Sequence, residues 1–588
     1  MIGYALCNAI GHCYHTIHVV DDITGRGVPL VNLSTVNFVP HYTDSNGIIA
    51  FYEPDLMNLQ HKVFFHVSSH GYEVDIDEEG YRGVAINIEC GGETQIKIRR
   101  TQISQRLYRY SGQGIYRDSI MTNTLTDHIP AHMKEGLNAG VTGHDSVQCI
   151  AINDTYYWFF GDTNSAEYPL GNFHTTCATT NLKDTIKNID LFVDLNYIKQ
   201  DAFVKPVAPM KPLAKPTWLH APHTTDGTEN NLYASYFKIT SPETRGIMKW
   251  NPEEKMFVNV LVIDTKKYNV WPTHGGHTLI VDDYVYFMNP FPFVRCPKNQ
   301  YADLSTYTSF SPLVEGTNDF DLNNIKLDRS ESGRIRYAWK RNTSPLTASG
   351  MYVLVKSGRM KPEEALWLIQ SMDQNMTTII MVSGTVNYNE YRKKYILISG
   401  QIFGDTSLLG NIWYSESDSP LGPWSYAVQI AKHNSIDFYN PRHHPLFDQG
   451  PNLYYEGTYV RTFDTHGIPT PYYDYNQQVH KLNLDDIRLF DVPNAVYKNG
   501  NAYTMTKPNG SSTKTVFLAH DRMCSNCVEV RQDNTGRLYV NNAPKNSSFA
   551  FYAKTVWNCK NSSCRQRSIQ MNVDGVIIHV FKVQKSLS

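Results

Sequence analysis

Apolar and polar positions alternate along most of this chain with the two-residue period of strands. Between residues 15 and 100, runs such as HTIHVVDD, VPLVNLSTVNFV, IIAFYEP, KVFFHVSSHGYEV, VAINIEC and TQIKIRR are separated by turn chemistry such as TGRG and TDSNG. Short strands punctuated by Asn-Gly and Gly-rich turns predict a small β-sandwich over residues 1–104. From 105 to 490 the same signal recurs in SVQCIAI, YYWFFGD, NLYASYFKI, MFVNVLVID, TLIVDDYVYFM, KKYILISGQI, LGNIWYSES and PNLYYEGTYV. One helix is expected there, opening at Lys361-Pro362-Glu363-Glu364 and running through ALWLIQSM. Proline is tolerated in a first helical turn, and acids suit its positive end. Residues 491–588 return to strand-like runs, including KTVFLAHD, RLYVNN and IIHVFKVQ.

Many strands and almost no helix over nearly 400 residues leave a barrel, stacked sandwiches or a propeller. Spacing separates them. A candidate inner strand followed by an aromatic strand recurs in units starting near Gly143, Trp218, His274, Ser383 and Asp437. The expected fold is therefore all-β: a five-bladed β-propeller over 105–490, an N-terminal sandwich over 1–104 and a C-terminal Cys-containing β module over 491–588.

Composition narrows the function classes. Lys+Arg 54 against Asp+Glu 56 gives a net charge of −2, which lacks the basic excess that nucleic-acid binding requires. Aromatics at 12% agree with a β-rich chain. No apolar run is long enough to predict a spanning helix. The opening MIGYALCNAIGHCYHTIHVV lacks the basic start of a signal peptide, so the chain is either cytosolic or carried behind a leader not in this sequence. Sequons at Asn32, Asn153, Asn342, Asn375, Asn509, Asn546 and Asn561 lean toward secretion, and an extracellular location is expected. Cys524, Cys527, Cys559 and Cys564 are spaced C-x2-C, 31 residues, C-x4-C, which leaves disulfides, a zinc site or free thiols open.

Candidate chemistry lies in the centre. Gly143-His144-Asp145-Ser146 precedes an expected inner strand, and Phe160-Gly161-Asp162 ends its neighbour. An acid at the start of an inner strand would face a central funnel; the alternative is a turn Asp bound to local amides. His220 and His223 follow Trp218, and His274 and His277 flank two glycines; such groups bind hydroxyls, deliver a proton or merely hydrogen-bond a loop. Asn389-Glu390 either faces the funnel or pairs with Arg392 or Lys393. The fifth unit collects Arg442, His443, Glu456 and Asp474 among tyrosines, the mixture of aromatic faces and polar groups that holds sugars. Strand packing explains the tyrosines equally well.

The pattern VDDITGRGVPLV followed by YTDSNGIIAF resembles the carboxypeptidase-regulatory or transthyretin-like domain, a structural accessory. The segments Gly143-His144-Asp145-Ser146, Asn389-Glu390, Ser417–Trp424 and Tyr455-Glu456-Gly457 resemble the five-bladed β-propeller glycoside hydrolases of families 43, 32 and 117. That resemblance implies cleavage of a glycosidic bond by a carboxylate pair. It places Asp145 as base or nucleophile and Glu456 or Glu390 as acid, with His274 a third choice, as a family 117 acid would be. It implies sugar contacts from His144, Asp162, His220, His277, Asn389, Arg442, His443 and Asp474. It calls for a carbohydrate partner and no cofactor, with a structural calcium or zinc ion left open. The family's general-acid Glu and second Asp have no unambiguous counterpart here. A non-catalytic glycan-binding or adhesion protein is the rival class, and a Tyr/His lyase a third.

Overall fold

The computed structural model describes residues 13–489 except 58, 170, 173, 274–275, 319–321, 323, 372–376, 462, 464–467 and 487; beyond 489 it describes only the backbone of a set of strands. The described chain is mostly β with few helices.

Residues 15–100 form two four-stranded sheets. One has the order Ile48–Phe51, His15–Asp21, Glu93–Arg100, Tyr72–Glu73, and the other Pro40–Tyr42, Asn32–Thr35, Val63–Ser68, Gly83–Ile86. Alternation decides which side chains meet between them: along Glu93–Arg100 only Ile96 and Ile98 are buried, and they join Ile17, Val19, Leu33, Phe51 and Phe65 in one apolar cluster. The Asn46-Gly47 turn works as its chemistry predicts. Asp44 Oδ1 accepts the Asn46 and Ile48 amides, and Gly47 has φ +78°, where a Cβ would meet Val19 O at 2.5 Å. Cys13 and Cys90 form a disulfide that ties the start of this unit to the approach of its last long strand.

Five antiparallel meanders follow. The first sheet contains Val147–Ile152, Thr155–Phe160, Thr176–Asn181 and Asn196–Tyr197, and the second Thr217–Thr224, Leu232–Lys238, Thr244–Asn251 and Met256–Val262. The third has five strands, from His277–Val281 to Ala338–Arg341. The fourth runs Met381–Asn389, Lys394–Gln401, Asn411–Ser417, Val428–Lys432. The fifth runs Asp437–His443, Asn452–Val460, Asn476–Asn483 and is completed by Gln105–Arg109, from ahead of the first sheet. The first strands of the five sheets are neighbours in series. Arg442 Nη2 then returns from the fifth to the first, donating to Cys149 O at 3.0 Å.

Both faces of these sheets are apolar, so the core is several clusters between sheets. Phe159, Leu219, Trp250 and Phe257 fill the space between the first and second sheets, and Tyr108, Trp158, Tyr454 and Val479 that between the fifth and first. Leu30 and Ile103 extend the cluster of the fourth and fifth sheets toward the N-terminal unit.

The helix expected from Lys361 is not formed. Pro362–Glu364 makes one 3-10 turn, and Ile369–Gln370 is a strand paired with Thr378–Ile379. Ala365, Trp367 and Ile369 are buried while the residues between them are half-buried, a period of two that an all-apolar ALWLI run hides from sequence. Trp367 packs against Phe291 and Phe293. The helix of this region is Ala348–Lys356, capped by the Thr347 side chain, which accepts the Gly350 amide. The side chains of Cys524, Cys527, Cys559 and Cys564 lie outside the described residues, and their bonding stays an expectation.

Candidate functional site

Asp145 sits between Val141–His144 and Val147–Ile152, where the backbone is pinched. Its amide donates to Asp162 O at 3.1 Å, and the Gly161 amide donates to both Asp145 O and Ser146 O at 3.0 Å. A Cβ at Gly161 would stand 2.0 Å from Asp145 Oδ1, so glycine is what lets this carboxylate lie over the neighbouring strand. Oδ2 accepts two phenols, Tyr439 at 2.6 Å and Tyr475 at 3.0 Å, both from the fifth sheet's side. Tyr475 is held at φ +61°, a left-handed conformation that is costly for an aromatic residue. Ser146 is fixed from the same side, by Thr458 Oγ1 on its amide and by Asn440 on its hydroxyl.

Asp162 is the second acid. The Trp218 indole N–H donates to its Oδ1 at 2.8 Å. Burial pushes Asp145 up to about 6 against the pull of the two tyrosines. Burial, and then the Asp145 charge, push Asp162 up to about 7. Two half-buried carboxylates at facing breaks between paired strands, with three aromatic donors from the side of the second and fifth sheets, titrate as a coupled pair near neutral pH.

A second polar cluster lies deeper between the sheets. Arg442 Nη1 lies 2.5 Å from His277 Nδ1; His444 Nε2 lies 2.7 Å from Glu456 Oε1 and its Nδ1 2.9 Å from the Tyr156 hydroxyl. Asp448 gathers His443 Nε2 at 2.9 Å and Asn389 Nδ2 at 2.8 Å. A cavity of about 110 Å³ is lined by Cys149, His277, Asn387, Arg442 and His443, among others. Burial, with the Arg442 charge, holds His277 well below its usual range, so it is neutral there.

The expected residues divide accordingly. Asp145 and Asp162 are brought together. His277, Arg442, His443, Asn389 and Glu456 belong to the deeper cluster, and His220 lies near enough to His277 to act on its charge. His144 is a core residue. It is buried, stacked on Phe160 at 3.7 Å and bonded to Tyr197, and burial lowers it to about 3. Glu390 is exposed in a turn and ion-paired with Lys393 at 2.6 Å, the surface alternative. Asp474 accepts the Arg461 amide at 3.0 Å and braces a loop. Glu390 pairs with Lys393 at the surface and Glu456 with His444 in the deeper cluster, while the acid whose charge meets Asp145 is Asp162. His274 lies outside the described residues. Tyr439, Tyr475 and Trp218 escape the sequence reading as donors to the acids. Their signal is the aromatic density at the unit starts, which strand packing explains as well.

No family model and no curated protein matches the chain. Among solved structures, it is similar to an exo-beta-1,3-galactanase from Phanerochaete chrysosporium, at 12% identity and TM-score 0.32 over 76% of this chain and 90% of that one. It is similar to an endo-1,5-alpha-L-arabinanase from Thermotoga petrophila, at 12% identity and TM-score 0.30 over 76% and 100%. It is also similar to a family 43 glycoside hydrolase from Bacillus licheniformis, at 11% identity and TM-score 0.29 over 77% and 100%.

Proposed function

We propose that the five meanders are the blades of a propeller and that the chain is a glycoside hydrolase-like enzyme acting on a carbohydrate through Asp145 and Asp162. One observation carries this reading: two carboxylates at facing breaks between paired strands are raised to about 6 and about 7 and are held by aromatic donors from other sheets. Asp162, the weaker acid, stays protonated below about pH 7, where Asp145 is already ionising, and donates its proton to the leaving oxygen. Asp145, ionised first and steadied by two phenols, takes a proton from water or attacks the anomeric carbon. Trp218 and Tyr439 supply aromatic faces beside the pair. The N-terminal sandwich is a transthyretin-like accessory, and the Cys13–Cys90 disulfide favours an oxidising, extracellular compartment.

The rival is a glycan-binding protein without turnover, favoured by Glu390 lying at the surface in an ion pair with Lys393. Reducing-sugar release from a panel of furanosides and pyranosides separates the two. Cleavage by the native chain, lost in both Asp145→Asn and Asp162→Asn, supports the enzyme. Saturable binding with no cleavage supports the rival.

A further inference from the structure

Away from the paired aspartates, three unlike ligating side chains converge at the seam between the first and fifth sheets. Cys149 comes from the first strand of the first sheet, His444 from just beyond the first strand of the fifth, and Glu456 from that sheet's second strand. All three are buried, and a thiol sulfur, an imidazole nitrogen and a carboxylate oxygen lie within 4.8 Å of one another. Glu456 Oε2 is fully buried, and the group that faces it is the neighbouring Tyr110 hydroxyl. Arg442 is close, yet its Nη atoms are directed to His277 and to the Cys149 carbonyl.

His444 adds a second pointer. If its Nδ1–H is held by the Tyr156 oxygen at 2.9 Å, Nε2 turns a lone pair toward Glu456 Oε1 at 2.7 Å. In the other tautomer Nε2–H donates to Oε1 directly, so an ion bound here takes the place of that proton. Tyr156 is then the outer partner that fixes the tautomer of a metal-ligating imidazole. Sulfur, nitrogen and oxygen together are too soft a set for calcium or magnesium and suit zinc.

We propose that Cys149, His444 and Glu456 bind a zinc ion that staples the first sheet to the fifth. The Cys149 S–H bond breaks as the S–Zn bond forms, and the proton leaves to solvent, so binding weakens as pH falls. The fourth position falls to water or to the Tyr110 hydroxyl. The ion joins residues about 300 apart in sequence, at the seam that the strand Gln105–Arg109 already helps to close.

The test uses the full chain carrying Cys524→Ser and Cys527→Ser, so that the C-terminal thiols do not supply a competing site. After incubation with zinc chloride and desalting, elemental analysis should find one zinc per chain. Replacement by cobalt(II) should give a thiolate-to-cobalt charge-transfer band in the near ultraviolet. Adding Cys149→Ser should abolish the band and weaken zinc binding by roughly 100-fold or more, and Glu456→Gln should weaken binding and change the cobalt spectrum. Chelator should lower Tm in the parent but not in the Cys149→Ser variant. A parent chain that takes up no stoichiometric zinc and shows no cobalt band overturns the proposal, whether or not the variants fold. So does zinc that both variants retain undiminished.

Discussion

The Tyr439 hydroxyl donates to Asp145 Oδ2 at 2.6 Å across the seam between the fifth sheet and the first. Nearly 300 residues separate the two in sequence, so this bond exists only once the first and last sheets have met. A donor to a carboxylate stabilises its charged form, and the phenol holds Asp145 below where burial alone would put it. Tyr439→Phe should therefore raise the acidic limb of the pH–rate profile by about one unit, the worth of a charge-assisted hydrogen bond. Activity should fall several-fold at pH 6 and little above pH 7. A profile of unchanged shape would mean that Asp145 is not the group titrating.

Asp145→Asn removes the base and should reduce turnover by about 10²–10⁴. Asp162→Asn should do the same and also remove the alkaline limb, because activity is lost there as Asp162 deprotonates near 7. The two limbs belong to the pair rather than to either acid alone. An alkaline limb that survives Asp162→Asn would assign the acid elsewhere.

The same acids make stability depend on pH. Asp162 ionises near 3.8 when unfolded and near 7 when folded, so between those values the native state binds more protons. Its contribution is whole below pH 3.8 and is lost as pH rises through 7. Asp162→Asn should flatten this slope and leave the variant about 1 kcal/mol more stable than the parent at pH 8, a value discounted for the partial exposure of the group. Thermal melts at pH 5 and pH 8 measure it. Equal pH dependence in both proteins would reject the raised carboxyl.

How much of this is legible in sequence depends on whether the signal is local. Strand recurrence and the Asn46-Gly47 turn are written in neighbouring residues, and the meanders form where the alternation places them. Asp145 and Asp162 are visible because each ends or opens a strand. What selects them as a pair is not local: the glycine gap at Gly161, the indole of Trp218 and the phenols of Tyr439 and Tyr475 come from separate turns and sheets. Glu390 and Glu456 look alike in sequence, one beside a strand and one within it. The structure exposes the first to Lys393 and buries the second against His444. The apolar ALWLI run fits either a helix or a buried strand, and tertiary packing chooses the extended form.

That contrast gives a quiet control. Glu390→Gln removes only an exposed ion pair with Lys393, a pair of the kind that contributes about 0–1 kcal/mol. Turnover should stay within roughly twofold and Tm nearly unchanged. A large loss of activity would restore Glu390 as the acid.

The strongest stability effect should come from a buried ion pair. Arg392 Nε donates to Glu416 Oε1 at 2.5 Å, with both side chains 1% exposed, and its Nη2 donates to Leu489 O at 3.1 Å. The Tyr414 hydroxyl donates to the same Glu416 oxygen. Arg392→Met would leave a carboxylate in the core with one phenol for company and no cation, and should cost about 3–5 kcal/mol. The pair itself need not be stabilising, because each ion gave up water to enter the fourth sheet. Removing both charges with Arg392→Met and Glu416→Leu should therefore recover most of the loss, with the free Leu489 carbonyl and the Tyr414 hydroxyl setting what remains. Denaturant unfolding of the two single variants and the double variant measures the coupling. If the double variant is as unstable as the sum of the singles, the cost lies in packing at this turn rather than in an orphaned charge.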